Sequence, residues 1–396
     1  MLRGWAFSQG EEPLVGIRLR LPGGGALNGL YGSPRPDVAA AFPDAPLNTG
    51  WELRTLLPSG QQTMQLEVQT ASGEWMFAKE FTLEMRPSPL PRWSRWTETT
   101  DLLLFQFPVH AAFPPRALRP ERFSQPSLGP GQRPKLSIVT PSFQHAWALG
   151  RCMDSVIADR NLSLEYFVQD GGSSDGSVAE IQARADSIAG WSTGPDGGQP
   201  QAIAAGFERT SGEPNDLMAW INSDDFYMAG ALRFVAEYFA RHPEVDVVYG
   251  HRVVVDRDGK EIARWYLPKH DPDVLRLYDF VPQETMFWRR RIWDEVGGLD
   301  TSFQFAMDWD LLLRFQAAGA KIVRLPYFLG CFRVHPEQKT SALISTQGQA
   351  EIDALRRRTF GRDITPDDLL RSKALQRYLR RSAWIEQLWK WGIRAR

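Results

Sequence analysis

The sequence predicts an α/β protein in which a sheet-and-helix domain follows a small β-sandwich-like domain and precedes a helical tail. Three patterns predict this. From Lys135 onward, short apolar runs alternate with amphipathic stretches, the β-α-β-α rhythm of a parallel sheet with flanking helices. Before residue 85, apolar and polar residues alternate in short runs spaced as in a small sandwich. From about residue 347, apolar residues recur at helical spacing.

Composition narrows the classes. With 396 residues, 43% hydrophobic and 23% charged, the chain suits two or three domains with a sizeable core. A net charge of −1 excludes a global field that draws the protein to nucleic acid. Cys152 and Cys331 are too few for a disulfide framework and lack metal-ligand spacing. Both read as reduced, buried thiols of a cytoplasmic protein. Residues 1–8 lack a secretory hydrophobic core, and no apolar run reaches the ~18 residues of a membrane span. The 15 Trp residues serve core filling, with sugar stacking as a second use.

In residues 1–85, Leu14–Leu21 and Met64–Thr70 alternate as half-buried strands do. Ser72-Gly73 turns the chain before a strand from Trp75, and Gly50–Leu57 is a further strand. Gly23-Gly24-Gly25 reads as a turn, because no Gly-Lys-Ser/Thr follows and no helix opens there. Residues 86–134, rich in Pro, Arg and Ser, read as a linker that partly packs on its neighbours.

The α/β domain spans 135–340. Leu136–Thr140 and Leu164–Val168 read as its first strands, with a helix over 145–160 between them. Helices follow near 177–187 and 199–209, then a strand over 217–221 and a helix near 229–241. Residues 246–256 and 260–266 form a strand and its return. Glu284–Trp288 is a strand, Asp308–Ala318 a helix, and Lys321–Val334 two short strands around Pro326. Residues 341–396 form the helical tail. Between Arg371 and Arg396 it carries eight Lys or Arg against one Glu. A basic amphipathic helix with Trp384, Trp389 and Trp391 suits peripheral contact with an anionic membrane; the alternative is a helix packed on the core with a solvated basic face.

The chemistry-bearing stretches sit where strands end. Leu217–Ile221 stops at Asn222-Ser223-Asp224-Asp225, and ligands of open α/β sheets bind beyond such ends. Adjacent carboxylates repel unless a cation sits beside them, and a hard divalent ion holding a diphosphate meets that need. A helix cap is the alternative. Asp170, opening Gly171-Gly-Ser-Ser-Asp-Gly176, either accepts bonds from a nucleoside or simply begins a turn. The loop Gly194-Pro-Asp196-Gly-Gly198 leads into a helix and faces a diphosphate or is a plain turn. Asp308 opens a helix, as a cap or as a general base with Trp309 as an apolar wall. His335 follows a strand and reads as a metal or phosphate ligand or as a structural residue.

Taken together, Thr140-Pro-Ser, Asp170-Gly-Gly-Ser-Ser-Asp-Gly-Ser, Pro195-Asp-Gly-Gly, Trp220-Ile-Asn-Ser-Asp-Asp, Pro282-Gln-Glu, Gly297-Gly-Leu-Asp300, Met307-Asp-Trp-Asp310 and Phe332-Arg-Val-His335 resemble the inverting nucleotide-sugar glycosyltransferases of family two, which have the GT-A fold. The resemblance covers about residues 135–340. It implies transfer of a sugar, of hexosyl type, from a nucleoside-diphosphate donor, UDP by family habit, to a glycan or lipid-linked acceptor in bacterial surface polysaccharide assembly. It implies a divalent cofactor, Mn²⁺ or Mg²⁺, and a cytoplasmic protein at the inner membrane face. By the same resemblance, Thr140, Pro141, Asp170, Asp196 and Asn222 hold the nucleotide. Asp224, Asp225 and His335 lie at the metal, Asp308 is the base, and Gln283, Glu284 and Trp309 line the sugar or acceptor pocket.

This chain departs from the family pattern. Asn222 stands where the first Asp of the DxD motif is usual, and Gln201 and Ala204 stand where Asp and Asn are frequent. Residues 1–85 resemble the β-rich module that precedes some polysaccharide-assembly glycosyltransferases. The alternative reading is a catalytically silent GT-A domain serving as a carbohydrate-binding or scaffold protein. A nucleotidyltransferase is disfavoured, since no Arg- and Lys-bearing glycine loop follows the first strand.

Overall fold

The structure, a computed structural model, describes residues 2–6, 13–20, 26–33, 38, 50–53, 60–85, 115–123, 128–129, 131–335 and 347–390. The expected turn at Gly23–Gly25, the end of the 50–57 strand, most of the linker and Trp391 lie outside the described residues. The chain divides into two compact units, residues 1–99 and 100–396.

In the first unit, strands β1 (Leu2–Trp5), β2 (Leu14–Arg20), β3 (Ala26–Ser33), β4 (Gly50–Leu53), β5 (Gly60–Thr70) and β6 (Trp75–Met85) pair antiparallel in the order β1-β4-β3-β2-β5-β6. The alternation read from the sequence is its cause. Ile17 and Leu19 on β2 and Met64, Leu66 and Val68 on β5 form one buried cluster, while Arg18, Arg20 and Glu67 pair on the opposite face.

The second unit is the expected mixed α/β fold. Strands β7 (Leu136–Ser142), β8 (Leu164–Asp170), β9 (Gly190–Thr193) and β10 (Leu217–Trp220) run parallel in the spatial order β9-β8-β7-β10. Helices α1 (Ala146–Ile157), α2 (Ser177–Gln182) and α3 (Gln199–Glu208) connect them. The strand order reverses direction beside β7, which opens a crevice at the carboxyl ends. Beyond β10 come β11 (Phe226–Tyr227), α4 (Ala231–Arg241), β12 (Val247–Val255) and its antiparallel partner β13 (Glu261–Trp265). Next are α5 (Pro272–Leu277), β14 (Phe287–Arg289), α6 (Arg290–Val296), α7 (Met307–Ala317) and β15 (Ile322–Arg333). Strand β14 is antiparallel to both β10 and β12 and joins the two halves of the sheet.

Several elements differ from expectation. Glu284 lies in a 3₁₀ turn (Gln283–Thr285), and the strand begins only at Phe287. The region around Pro326 is one strand, not two. Its pairing with β12 jumps from Tyr249↔Arg324 to His251↔Phe328, so the residue that has no N–H falls in a bulge. Strand β9 and helices α5 and α6 are short and carry little periodic signal.

The tail folds as α8 (Gln349–Phe360), α9 (Pro366–Arg371) and α10 (Lys373–Lys390). Helix α10 packs on the sheet domain through its first half. Leu375 and Tyr378 are buried, the Tyr378 ring lies 4.5 Å from that of Phe280, and Ser382 Oγ donates to the Tyr266 carbonyl. Tyr378 thus belongs to the core, whereas Trp384 is 61% exposed. Among the described residues no helix is long and apolar enough to cross a membrane. Cys152 and Cys331 are both buried and form no disulfide.

Candidate active site

The four parallel strands deliver their following loops to one edge of the sheet. After β8, the Asp170 carboxylate accepts bonds from Gly172 N (3.1 Å), Ser173 N (2.9 Å), Ser173 Oγ (2.6 Å) and Thr193 Oγ1 (2.6 Å). It thereby ties the ends of β8 and β9 together, and little of it is exposed. Asp196 Oδ1 accepts from Gly198 N at 2.9 Å and shapes the next loop. Gly194, Gly197 and Gly198 all have positive φ, which explains the glycines there. Asp170, Thr193, Asp196 and Arg209 line a cavity of about 310 Å³ at this edge. At its lip Phe143 is 59% exposed, beside Gly171 and Asp196.

After β10, Asn222 Oδ1 accepts from Gln199 Nε2 at 2.7 Å, and Asp224 lies 3.0 Å from His335 Nε2. Sheet register explains the second contact. Phe226 on β11 pairs antiparallel with Cys331 on β15, so stepping back toward Asp224 steps forward toward Arg333 and His335. His145, just before α1, closes the group: one ligating atom from each of His145, Asp224 and His335 lies within 4.8 Å of the others. The carboxylate and imidazoles are ordinary donors to a divalent transition ion, so these side chains fit the cofactor that the sequence implies.

Beneath this group lies a buried charge cluster. Arg252 on β12 grips Glu284 with two bonds, Nε–Oε1 at 2.7 Å and Nη2–Oε2 at 2.6 Å. Asp225 points inward, where Oδ1 accepts from Arg333 N at 2.9 Å. Burial, then the charges of Asp224 and Glu284, push its carboxyl well above the usual range. Asp308, half-buried at the start of α7, has its carboxyl pushed up to about 6 by burial, aided by Glu284 and opposed by Trp309 N–H and Arg252. Asp279 is raised by burial and by the charge of Asp308.

Several sequence expectations change here. Asp225 does not stand beside Asp224 as a ligand, because the chain turns into β11 and buries it. The Thr140 hydroxyl accepts from Tyr166 Oη at 2.8 Å inside the core, and Pro141 is buried at the end of β7. Gln283 Nε2 donates to the Trp220 carbonyl at 2.8 Å, and Glu284 is held by Arg252, so the 3₁₀ turn folds both under the site. Trp309 is no wall for Asp308, since its indole N–H donates to the Leu275 carbonyl at 2.7 Å and only 1% of the residue is exposed. Asp170, Asp196, Asn222, Asp224, His335 and Asp308 all lie at strand ends or the α7 start. The residues that sequence reasoning missed are Phe143, His145, Gln199, Arg252 and Asp279. His145 stood in plain view in the loop after the first strand; Arg252 reads as part of an apolar strand.

Comparison with known proteins adds the family context. The sequence model described as Glycosyl transferase family 2 matches residues 137–298. An uncharacterized glycosyltransferase of Mycobacterium tuberculosis is 30% identical over 184 residues, covering 46% of this chain and 68% of that protein. The O-antigen biosynthesis protein RfbC of Myxococcus xanthus is 29% identical over 196 residues, 48% of this chain but only 15% of RfbC. A PGL/p-HBAD biosynthesis glycosyltransferase of Mycobacterium bovis is 25% identical, over 48% of this chain and 73% of its own length. Among solved structures, S. aureus TarS 1-349 in complex with UDP-GlcNAc aligns over 62% of this chain and 72% of its own, at 15% identity and a TM-score of 0.47.

Proposed function

Because the chain belongs to glycosyl transferase family 2, we propose that it transfers a hexosyl group, with inversion, from a nucleoside-diphosphate sugar to an acceptor hydroxyl. The observation that carries this reading is Asp308. Its carboxyl, raised to about 6, belongs to the same charge cluster that backs the Asp224–His335 pair. A carboxylate with this affinity for a proton is ionised at neutral pH and basic enough to accept one from an attacking hydroxyl. As the acceptor oxygen bonds to the anomeric carbon, the carbon–oxygen bond to the diphosphate breaks and the hydroxyl proton passes to Asp308. One displacement without a covalent intermediate inverts the anomeric centre.

The nucleoside belongs in the cavity between Asp170 and Asp196, with the exposed Phe143 ring offering an apolar face to the base. On this reading the ribose lies beside Asn222, whose Oδ1 accepts from Gln199 Nε2. A divalent ion held by Asp224 and its histidine neighbours would offset the charge of the departing diphosphate. UDP is the expected carrier. The relatives named for O-antigen and PGL/p-HBAD biosynthesis support a glycan or lipid-linked acceptor in surface polysaccharide assembly.

A thermal-shift panel of UDP, GDP, TDP and CMP, with and without Mn²⁺ or Mg²⁺, tests the donor site. One nucleoside diphosphate is expected to stabilise the protein in a metal-dependent way, by about 2.7 kcal/mol at a hundredfold excess over its Kd. Asp224→Ala is expected to remove the metal dependence. If no nucleotide shifts the transition, the silent binding-protein reading takes over.

The tail carries a separate part of the proposal. Arg380, Arg381 and Trp384 are exposed on the outer side of α10 and suit contact with anionic lipid. The double variant Arg380→Glu/Arg381→Glu is expected to reduce sedimentation with phosphatidylglycerol vesicles at low salt. Unchanged sedimentation rejects membrane contact through this helix.

A further inference from the structure

We propose that His145 is a third protein ligand of the donor-site cation, and that His145, Asp224 and His335 form an N,O,N site selecting a transition ion such as Mn²⁺ or Co²⁺ over Mg²⁺. The proposal rests on the donor-site reading above but adds a residue and an ion preference to it. Its basis is the meeting of three separate segments: the loop after β7, the loop after β10 and the end of β15. Their ligating atoms lie within 4.8 Å of one another, and the Asp224–His335 pair is already at 3.0 Å. Two donors each about 2.1 Å from one ion stand about 3.0 Å apart when cis and about 4.2 Å apart when trans, so coordination requires the widest gap to close by between about half an ångström and about 2 Å.

The loop holds His145 firmly. Its Nδ1 meets Ser223 Oγ at 2.8 Å, within the same loop that carries Asp224. Its backbone N–H donates to Ser177 Oγ at 3.2 Å, and the next residue, Ala146, donates to Asp175 Oδ2 at 2.8 Å. Gln144, immediately before it, adopts φ 55°, a left-handed conformation that is costly for a residue with a side chain. Ser173 Oγ holds Gln144 in that state by accepting from its N–H at 2.8 Å. Hydrogen bonding of one ring nitrogen to a fixed partner is how a coordinating imidazole is oriented. The Trp147 ring, 5.0 Å from that of His335 and 6.1 Å from that of His145, packs against both imidazoles.

The donor set decides the ion. Mg²⁺ prefers oxygen ligands and keeps its waters, whereas imidazole favours the later divalent ions. Two imidazoles and one carboxylate therefore bias the site away from Mg²⁺, toward Co²⁺ most strongly and toward Mn²⁺ to a smaller degree. The alternative for His145 is a purely structural residue at the start of α1, joined to Ser223.

The test is metal binding by chelator-stripped protein without nucleotide, read by loss of the free Mn²⁺ resonance in electron paramagnetic resonance and by competition with Mg²⁺. One Mn²⁺ is expected per chain, bound at least tenfold more tightly than Mg²⁺. His145→Ala and His145→Asn, checked for an unchanged thermal transition, are expected to weaken Mn²⁺ at least tenfold and Mg²⁺ little. Spin-echo modulation from bound Mn²⁺ is expected to report two imidazole nitrogens in the parent and one in either variant. Mn²⁺ affinity within twofold of the parent in both variants overturns the proposal, as does equal binding of Mg²⁺ by the parent. Those outcomes leave the nucleotide panel unaffected, so failure of this site and failure of the donor reading are told apart.

Discussion

Asp308→Asn is expected to lower the rate of sugar transfer by roughly 10²–10⁴-fold while nucleotide binding persists, since the amide cannot accept the acceptor's proton. For the parent, log kcat/KM is expected to fall with unit slope as pH drops below about 6, the value to which burial pushes the Asp308 carboxyl. The limb lies on the acid side because the base must be ionised to act. The same group makes a prediction about stability. Its carboxyl binds a proton more tightly in the folded chain than in the unfolded one, where carboxylates titrate near 4. Between about pH 4 and pH 6 the folded state therefore holds more protons, and this contribution to stability declines as pH rises through that window. At pH 7.5 the ionised carboxylate is a net cost, so Asp308→Asn is expected to stabilise the protein, on the order of 2 kcal/mol. Urea unfolding of both proteins at pH 7.5, beside a radiolabelled transfer assay, checks the pair of effects. An inactive variant of unchanged or lower stability would separate Asp308 from the role given to it here; full activity would end that role outright.

Arg252→Met is expected to have the largest effect on stability, a loss of about 3–5 kcal/mol. It removes both bonds to Glu284, which is only 1% exposed, and leaves that carboxylate buried without its cation. Arg252 also opposes the upward shifts of Asp225, Asp279 and Asp308. Without it those carboxyls hold their protons more tightly, so the acid limb of the rate profile is expected to move above 6. Arg252→Lys keeps the charge but not the bidentate geometry, and should lose stability with a smaller displacement of the limb. Urea titrations and rate profiles of the two variants measure both quantities. A limb that stays in place in Arg252→Met would show that the cluster does not tune Asp308.

Much of the candidate site was legible because it sits at strand ends. An apolar run that stops at Asn222-Ser-Asp224 announces a buried strand and the loop beyond it. Asp170, Asp196 and Asp308 likewise follow or precede well-patterned elements. What the pattern does not carry is the direction of a side chain. Asp224 and Asp225 are neighbours in a polar loop, yet one faces His335 and the other accepts the Arg333 N–H from within the sheet. Only the pairing of β11 with β15 decides which is which. Trp309 reads as a wall for its neighbour Asp308, but successive helical positions diverge by about 100° and its indole goes to the core.

The sequence by itself determined the main strands and helices of the α/β domain and the family, because these follow from local periodicity and from motifs that read contiguously. The tertiary structure alone decided the charge environment and brought His145 to Asp224 and His335. Arg252, Asp279 and Glu284 lie on different elements, and His145 and Asp224 are far apart along the chain. They interact only because β12 and β14 close the sheet and the strand order reverses beside β7. Burial and through-space charge act over ångströms in the folded chain, and spacing along the sequence does not encode them.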